Sequence, residues 1–262
     1  MYAPHHSTGA ALMENKRIEA RKIGPSSPSN GLRTRRRRPR TRVSRTLPAL
    51  LLLAGLVAAG CSTGGTFDRL HGSGRTATEA RTVDGFDHIS VAGGAEVVVE
   101  VTGTESLVVE AEDNLLEVLT VEVVDGELRL GVAPHVNIEP TRPIVYRISA
   151  ASLEGVTISG SALIEAFPIE TGRFDVSIAG SGRVVPLGTV TNLDVTIGGS
   201  GRFEGGDLLA KHGSVNVSGS GQALVNVSDD LDASVSGSGH IAYQGDPKVR
   251  SSLSGSGSID RG

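Results

Sequence analysis

In Val195-Thr196-Ile197-Gly198-Gly199-Ser200-Gly201-Arg202-Phe203, two aliphatic side chains flank a small polar one, a glycine-rich corner follows, and another apolar residue stands beyond it. Apolar, polar, apolar at a spacing of two describes a strand with one buried face. The Gly-Ser-Gly corner permits positive φ and a sharp change of direction before the next short strand. The arrangement recurs with corners at Gly160, Gly180, Gly199, Gly219, Gly237 and Gly255, in steps of 20, 19, 20, 18 and 18 residues. Two residues before each corner stand Ile158, Ile178, Ile197, Val217, Val235 and Leu253; four residues after it stand Ile164, Val184, Phe203, Ala223, Ile241 and Ile259. Four before it the series is Val156, Val176, Val195, Val215, Ala233 and Ser251.

A unit this short cannot hold two packed helices and cannot bury its own apolar row. Stacking equivalent strands in parallel at ~4.8 Å solves both problems by laying Ile on Ile and Val on Val. The fold expected is all-β, a parallel β-helix or β-solenoid with about six clear C-terminal rungs, about 24 Å long from these units alone. The N-terminal strands are less regular. Ile89 and Val91, then Val97, Val99 and Val101, then Leu107 and Val109 alternate with polar residues. Val121 to Leu130 reads as a hairpin around Asp125-Gly126, a pair suited to a type I′ turn. Residues 86–150 are expected to supply the first rungs or a cap over the open end.

The composition agrees with this reading. Of 262 residues 35 are Gly, none is Trp, and only eight are Phe or Tyr, which excludes an aromatic-cored enzyme of ordinary composition. Charge is unevenly spread. Residues 1–60 hold 12 Lys and Arg against Glu14 and Glu19, a net of +10, whereas the remaining 202 residues carry 13 bases and 27 acids, a net of −14.

That basic front reads as an address. An arginine run from Arg33 to Arg45 precedes the uncharged stretch Leu47–Gly60, a positive n-region followed by an apolar h-region. Fourteen residues span only about 21 Å as a helix, short of the ~30 Å hydrocarbon core, so export fits better than a permanent span. The acidic body argues against nucleic acid as the partner of the arginines. Val57-Ala58-Ala59-Gly60-Cys61 ends on the only cysteine in the sequence and resembles the lipobox of bacterial lipoproteins. That resemblance implies acylation of the Cys61 thiol with diacylglycerol and palmitate-type chains, anchoring the mature protein to membrane lipid. The expected organisation is a disordered or start-site extension (1–31), a lipoprotein signal peptide (32–60), a Ser/Thr/Gly-rich tether (61–81) reaching roughly 25 Å, and a β-solenoid body (82–262). The expected location is the cell envelope, outside the cytoplasmic membrane.

The body resembles the head GIN-domain family of autotransporter-type adhesins. The matching pieces are Phe86-Asp87-His88-Ile89-Ser90-Val91, the Val97-Val98-Val99 strand, Asp125-Gly126-Glu127-Leu128, the serial Ser-Gly-Ser-Gly corners, Tyr243-Gln244-Gly245-Asp246-Pro247 and Ser254-Gly255-Ser256-Gly257-Ser258-Ile259. The resemblance implies a right-handed parallel β-helix at the bacterial envelope and no known reaction. Ala162 departs from it, standing in the first corner where Gly is usual.

Candidate chemistry is sparse. Gly237-Ser238-Gly239-His240-Ile241-Ala242 has the spacing of a dinucleotide fingerprint but belongs to the β-corner series and lacks the helix that such binding needs. Gly198-Gly199-Ser200-Gly201-Arg202-Phe203 starts like a calcium-binding nonapeptide, with Phe203 where a carboxylate is required. Asp175, Asp194 and Asp232 fall five before their corners and form an acidic ladder, interrupted by Ser214 and Arg250; a solvated edge is favoured over a calcium site. Arg183 and Arg202, three after their corners, are the complementary bases. A polysaccharide-active enzyme would use Asp175 and Asp194 with Arg183 or Arg202. No histidines pair at ligand spacing, no G-x-S-x-G elbow occurs, and Tyr146 and Tyr243 are the only Tyr of the body, Tyr243 read as a packing residue. Neither metal nor cofactor is expected.

The leading expectation is therefore a non-enzymatic, lipid-anchored protein whose solenoid displays polar ladders for adhesion or scaffolding. Thr157, Ser177, Thr196, Asn216, Ser234 and Ser252, with Arg183 and Arg202, are the candidate binding surface for an envelope protein or polysaccharide. A partner in envelope signalling is the remaining alternative.

Overall fold

A computed structural model describes residues 69–262. The six corner glycines form one column, each directly in register with the next, and Gly93 continues the column below Gly160. Gly199 shows why. Its φ is +118°, and a Cβ there would sit 2.7 Å from the carbonyl oxygen of Gly180. That oxygen already accepts the Ser200 N–H at 2.9 Å. Only a residue without a side chain lets successive corners stack this closely.

In chain order the strands are β1 (Arg69–His71), β2 (Thr76–Arg81), β3 (His88–Gly93), β4 (Glu96–Val101), β5 (Ser106–Glu112), β6 (Leu119–Val124), β7 (Glu127–Val132), β8 (Asn137–Glu139), β9 (Val145–Ala150), β10 (Gly155–Gly160), β11 (Leu163–Gly180), β12 (Arg183–Gly199), β13 (Arg202–Gly219), β14 (Gln222–Gly237), β15 (His240–Gln244), β16 (Lys248–Gly255) and β17 (Ser258–Arg261). One 3-10 turn, Leu116–Val118, precedes β6. β11 to β14 are 16 to 18 residues long because each winds through nearly a whole coil. β10 through β17 pair only in parallel with their neighbours, so the expected solenoid is the observed fold.

Burial follows the rows read from the repeat. Ile158, Ile178, Ile197, Val217 and Val235 stack on one another and are at most 1% exposed. On the next face Ile164, Val184, Phe203, Ala223 and Ile241 stack likewise and are at most 2% exposed. A third side is closed by the buried Val190, Ala210 and Val227, in register on successive coils, with Ile169 and Leu208 beside them; Phe174, Leu193, Gly213 and Leu231 extend the first side, where Gly213 leaves room for the Val227 and Leu231 side chains. Burying apolar area stabilises by roughly 25 cal/mol per Å², and here a row too weak to hold one coil is shared along the whole stack. Tyr243 packs against this core, half-buried beside Val225.

Residues 86–150 supply both first rungs and cap. β3 and β4 lie beneath β10 and β11 as a lower coil. β6 and β7 form the antiparallel hairpin, with Asp125 at φ 52° and Gly126 at φ 82°, both positive as a type I′ turn requires. β7 runs parallel beneath β3, while β5 pairs antiparallel with both β2 and β9. Mixed pairing thus covers the lower end.

Two findings differ from the reading of the sequence. Residues 69–81, assigned to the tether, are ordered strands: β1 pairs with β8 and β2 with β5. Their Ser, Thr and Gly residues suggest a linker, but strand pairing is made by the backbone and needs little apolar content at a sheet edge. Ala162 fits its corner because it stacks above Ala95 at the start of the column. From Gly182 upward a Cβ would come within 2.6 Å of the Ile or Val side chain of the coil below. The arginine run, the apolar stretch and Cys61 lie outside the described residues. Among the described residues no helix is long and apolar enough to cross a membrane.

Candidate functional site

The glycine column divides two polar faces. On the first, Thr157, Ser177, Thr196, Asn216, Ser234 and Ser252 are immediate neighbours in successive strands, and Ser90 and Arg129 extend the row downward. Strand alternation points each of them away from the core, and from Thr157 to Ser234 each lies between two buried aliphatic residues of its own strand, whereas Ser252 lies between the exposed Ser251 and Leu253. The hydroxyls and the amide stand at ~4.8 Å intervals with donor and acceptor capacity available to a ligand.

Beside this row run Asp175, Asp194, Ser214, Asp232 and Arg250. The acids are neutralised locally. Arg173 Nε donates to both carboxylate oxygens of Asp175 at 2.8 Å, and its terminal nitrogen lies 3.9 Å from Asp194. Arg250 donates to Asp232 at 2.9 Å. The hydrogen bond to Asp175, reinforced by its charge, raises the Arg173 pKa, and Asp232 does the same for Arg250. These exposed pairs add little stability; their effect is to leave the face nearly uncharged. A shallow groove of about 330 Å³ follows Thr157, Ser177 and Thr196 between Arg173 and Asp194.

Arg183 and Arg202 are elsewhere. They open β12 and β13 after the corner, on the second face, in one row with Gln222, His240 and Ser258. Glu204 bridges them, 3.6 Å from Arg183 and 3.7 Å from Arg202. The structure therefore brings Arg173 to Asp175 and Asp194, while Arg183 and Arg202 serve a different carboxylate across the corner. Asp–Arg chemistry on one surface, the basis of the enzyme alternative, is not assembled from those four residues. The eight candidate surface residues fall on two faces, six on one and two on the other.

The second face has its own groove of about 540 Å³, in which Arg202, Glu204, Gln222, His240 and Gln244 surround an aliphatic floor that includes Leu224. At its upper end His240 Nδ1 lies 2.7 Å from Ser258 Oγ and 3.6 Å from Asp260. Both partners converge on one ring nitrogen. A nucleophile relay needs serine on one nitrogen and carboxylate on the other, so this cluster orders the surface and does not activate Ser258. Among the described residues no group of three or more His, Cys, Asp or Glu is placed to hold a metal ion. The 237–242 fingerprint is the β corner between β14 and β15.

The only buried charged residue among those described is Glu112, 1% exposed. It accepts from the Gly74 N–H at 2.6 Å, the Thr141 N–H at 2.8 Å and the Thr141 hydroxyl at 2.6 Å. The Thr141 hydroxyl, with help from the backbone donors, holds its carboxyl below the usual range against the opposing effect of burial. Gly72 has no side chain to collide with it. Ser73 bonds Asp113, Arg75 pairs with Asp113 at 2.8 Å, and Arg142 Nε donates to the Gly74 carbonyl at 2.9 Å. The entering chain is thereby fastened to the cap. An apolar cleft of about 430 Å³ lies nearby, walled by Val91, Leu130, Ile138 and Ile144, with Tyr146 at its base.

Sequence reading missed Glu112, Arg173 and the His240–Ser258–Asp260 group. The 18-residue spacing of His240 and Ser258 was an available signal, since it equals the coil step.

No curated protein matches the chain. Among solved structures, a "putative adhesin" from Bacteroides fragilis aligns with a TM-score of 0.62 at 22% identity, covering 73% of this chain and 99% of that one, and has the same fold. A "putative lipid binding protein" from Parabacteroides distasonis is 25% identical, over 74% of this chain and all of that one, with a TM-score of 0.48. A "putative adhesin" from Parabacteroides merdae is 19% identical over 74% of this chain and 99% of that one, also at 0.48. The family described as "Putative auto-transporter adhesin, head GIN domain" matches residues 85–247. With five of the six stacked corners and the capping hairpin inside that span, the chain belongs to the head GIN domain family.

Proposed function

We propose that the protein is a non-catalytic adhesion or scaffolding component of the cell envelope, anchored to membrane lipid through Cys61 and binding an envelope protein or polysaccharide through its polar faces. The observation that carries the reading is the in-register row from Thr157 to Ser252, outward on successive coils and flanked by acids that Arg173 and Arg250 neutralise. Such a face binds through many weak contacts repeated along the rod. Family membership supports adhesion, and the Arg33–Cys61 segment supports export and anchoring.

The test is capture of envelope material by the purified full chain, compared with a variant carrying Ser177→Lys, Thr196→Lys and Asn216→Lys. Binding is expected to fall at least tenfold without a change in melting temperature; equal capture would refute the ladder. Cleavage of a glycan that disappears in Asp194→Asn would establish the enzymatic alternative. Anchoring is tested by Cys61→Ser, which is expected to move the protein from the membrane to the soluble fraction; unchanged detergent partitioning refutes lipidation.

A further inference from the structure

The second face carries a pattern that the first does not. At alternate, outward positions β14 presents Gln222, Leu224 and Asn226, and β15 above it presents His240, Ala242 and Gln244 in register. β13 below presents Arg202, Glu204 and Gly206. Across β14 and β15 the order is polar, aliphatic, polar, so Leu224 and Ala242 form a stripe between two polar banks, with Val185 of β12 at the lower end. Glu204 stands in line with the stripe, but its carboxylate lies toward Arg183 and Arg202, at 3.6 and 3.7 Å. Gly206 keeps the space open. A Cβ there would lie 3.2 Å from Leu224 Cδ2 and 3.8 Å from Gln244 Nε2, and Asn226 Nδ2 donates to the Gly206 carbonyl at 3.2 Å. The result is the groove of about 540 Å³, which spans β13 to β15, two strand spacings or about 10 Å.

We propose that this groove is a subsite for a neutral saccharide chain; the proposal rests on the adhesion reading above and names the ligand class. The polar groups are of the kind that sugars need. The side-chain amides of Gln222 and Gln244 line the groove with no hydrogen-bond partner among the described residues, and each both donates and accepts, as sugar hydroxyls do. His240 uses Nδ1 toward Ser258, which leaves Nε2 without a partner among the described residues. The aliphatic stripe between the banks suits the C–H face of a pyranose ring, whose hydroxyls project from its rim. The coil step of ~4.8 Å is close to the length of one pyranose in a chain, so successive coils meet successive rings. One arginine, Arg202, stands against Glu204 and Asp207, a balance that disfavours an acidic polymer.

The same features exclude the recurring ways of holding a peptide. β14 pairs with β13 and β15, and β15 also with β17, so the groove offers no free strand edge to which an extended segment could add. The stripe is one residue wide, too narrow for the apolar face of a helix. Phe203 is the only aromatic residue of the lining and is fully buried, so a proline-rich segment finds no platform. Arg202 is drawn to Glu204, and phosphate groups find no arginine cluster. Without aromatic stacking each ring is held weakly, so strength at a surface comes from many anchored copies engaging one polymer.

The experiment is amide chemical-shift mapping by NMR of the purified full chain in mild detergent, titrated with tetrasaccharides of glucose, mannose, galactose and N-acetylglucosamine and, as the acidic arm, with tetragalacturonate. At least one neutral tetrasaccharide is expected to shift the amides of residues 202–207, 222–226 and 240–244. Gln222→Ala combined with Gln244→Ala is expected to weaken that binding at least tenfold. Gly206→Gln, which fills the groove against two flexible side-chain ends, is expected to abolish it, and Lys211→Ala, exposed and away from the groove, to leave it unchanged. If Gly206→Gln reduces the strand signal in circular dichroism, the double glutamine variant decides. No shift from any neutral tetrasaccharide, shifts confined to the row from Thr157 to Ser252, tighter binding of tetragalacturonate, or binding indifferent to the groove variants would each overturn the proposal. So would a loss of envelope capture in the double variant that persists after periodate has destroyed the saccharides of that material, since the occupant would then be protein. Wild-type capture of envelope material without any saccharide shift would strike the subsite and leave adhesion standing, whereas groove shifts without capture would strike the adhesion reading and leave the subsite.

Discussion

Two adjacent glycines, Gly198 and Gly199, are expected to respond to alanine with opposite signs. At Gly199 the backbone is at φ +118°, a region whose occupation by an L side chain costs of order 1–3 kcal/mol. The added Cβ would meet the Gly180 carbonyl oxygen at 2.7 Å. This backbone atom is held by its hydrogen bond to Ser200 and cannot turn aside as a side chain would; displacing it costs that bond, about 1 kcal/mol. The combined loss is about 2–4 kcal/mol. At Gly198 the φ lies outside the left-handed region, the nearest atom to a new Cβ is 3.9 Å away, and the aligned residues Ala179 and Ser218 already carry side chains. Alanine there restricts the unfolded chain and stabilises by about 0.4–1 kcal/mol. For a body of this size each kcal/mol moves Tm by about 2–4 °C. Gly199→Ala should therefore lower Tm by ~4–16 °C and Gly198→Ala raise it by ~1–4 °C. Thermal unfolding followed by circular dichroism measures both, and hydrogen exchange should localise the Gly199→Ala loss to β11, β12 and β13. Equal shifts, or an unchanged Gly199→Ala, would refute the close-stacked column.

Ile197→Asp puts an unpaired carboxylate into a fully buried site and should cost more than ~4 kcal/mol, unfolding the neighbouring coils; an unaltered melting curve would contradict the stacked core. Glu112 has a depressed folded-state pKa, so its contribution is present above the ordinary carboxylate range and is lost as pH falls through the folded value. Glu112→Gln should flatten the acid limb of the stability profile and speed hydrogen exchange in β1 and β2; an unchanged limb would show that the lock is inert. Burial pushes Tyr146 up to about 12, against a smaller opposing effect of Arg81. Because the unfolded chain ionises near 10, stability should decline as pH rises through that interval, with the last tyrosinate absorbance appearing near 12 and Tyr146→Phe removing both effects.

What was legible in the sequence was whatever repeats. Ile158, Ile178 and Ile197 recur at one offset from a glycine, and that offset fixes strand, face and neighbour together. The Asp125-Gly126 turn was equally legible because its geometry is local. What escaped depends on contacts between unlike segments. Nothing around Glu112 announces a buried carboxylate, since its partners come from residues 74 and 141. The strands at 69–71 and 76–81 have no apolar alternation, because their pairing is carried by backbone groups. Thr157 to Ser252 stand in one row, as their common offset from the corner implies, but Arg183 and Arg202, at a common offset of their own beyond it, do not join them, because the corner at Gly180 or Gly199 turns them onto another side. Arg173 went unnoticed for the opposite reason: it lies two residues before Asp175 on the same strand and so points the same way.

The coil steps of 18 to 20 residues make length a quantised property of this molecule. Excising one complete turn shortens the column by about 4.8 Å and restores every alignment above the cut, whereas losing a single residue swaps interior for exterior along the altered strand. Lineages can thus lengthen or trim the reach of the rod by duplication or loss of whole turns, without redesigning either terminus.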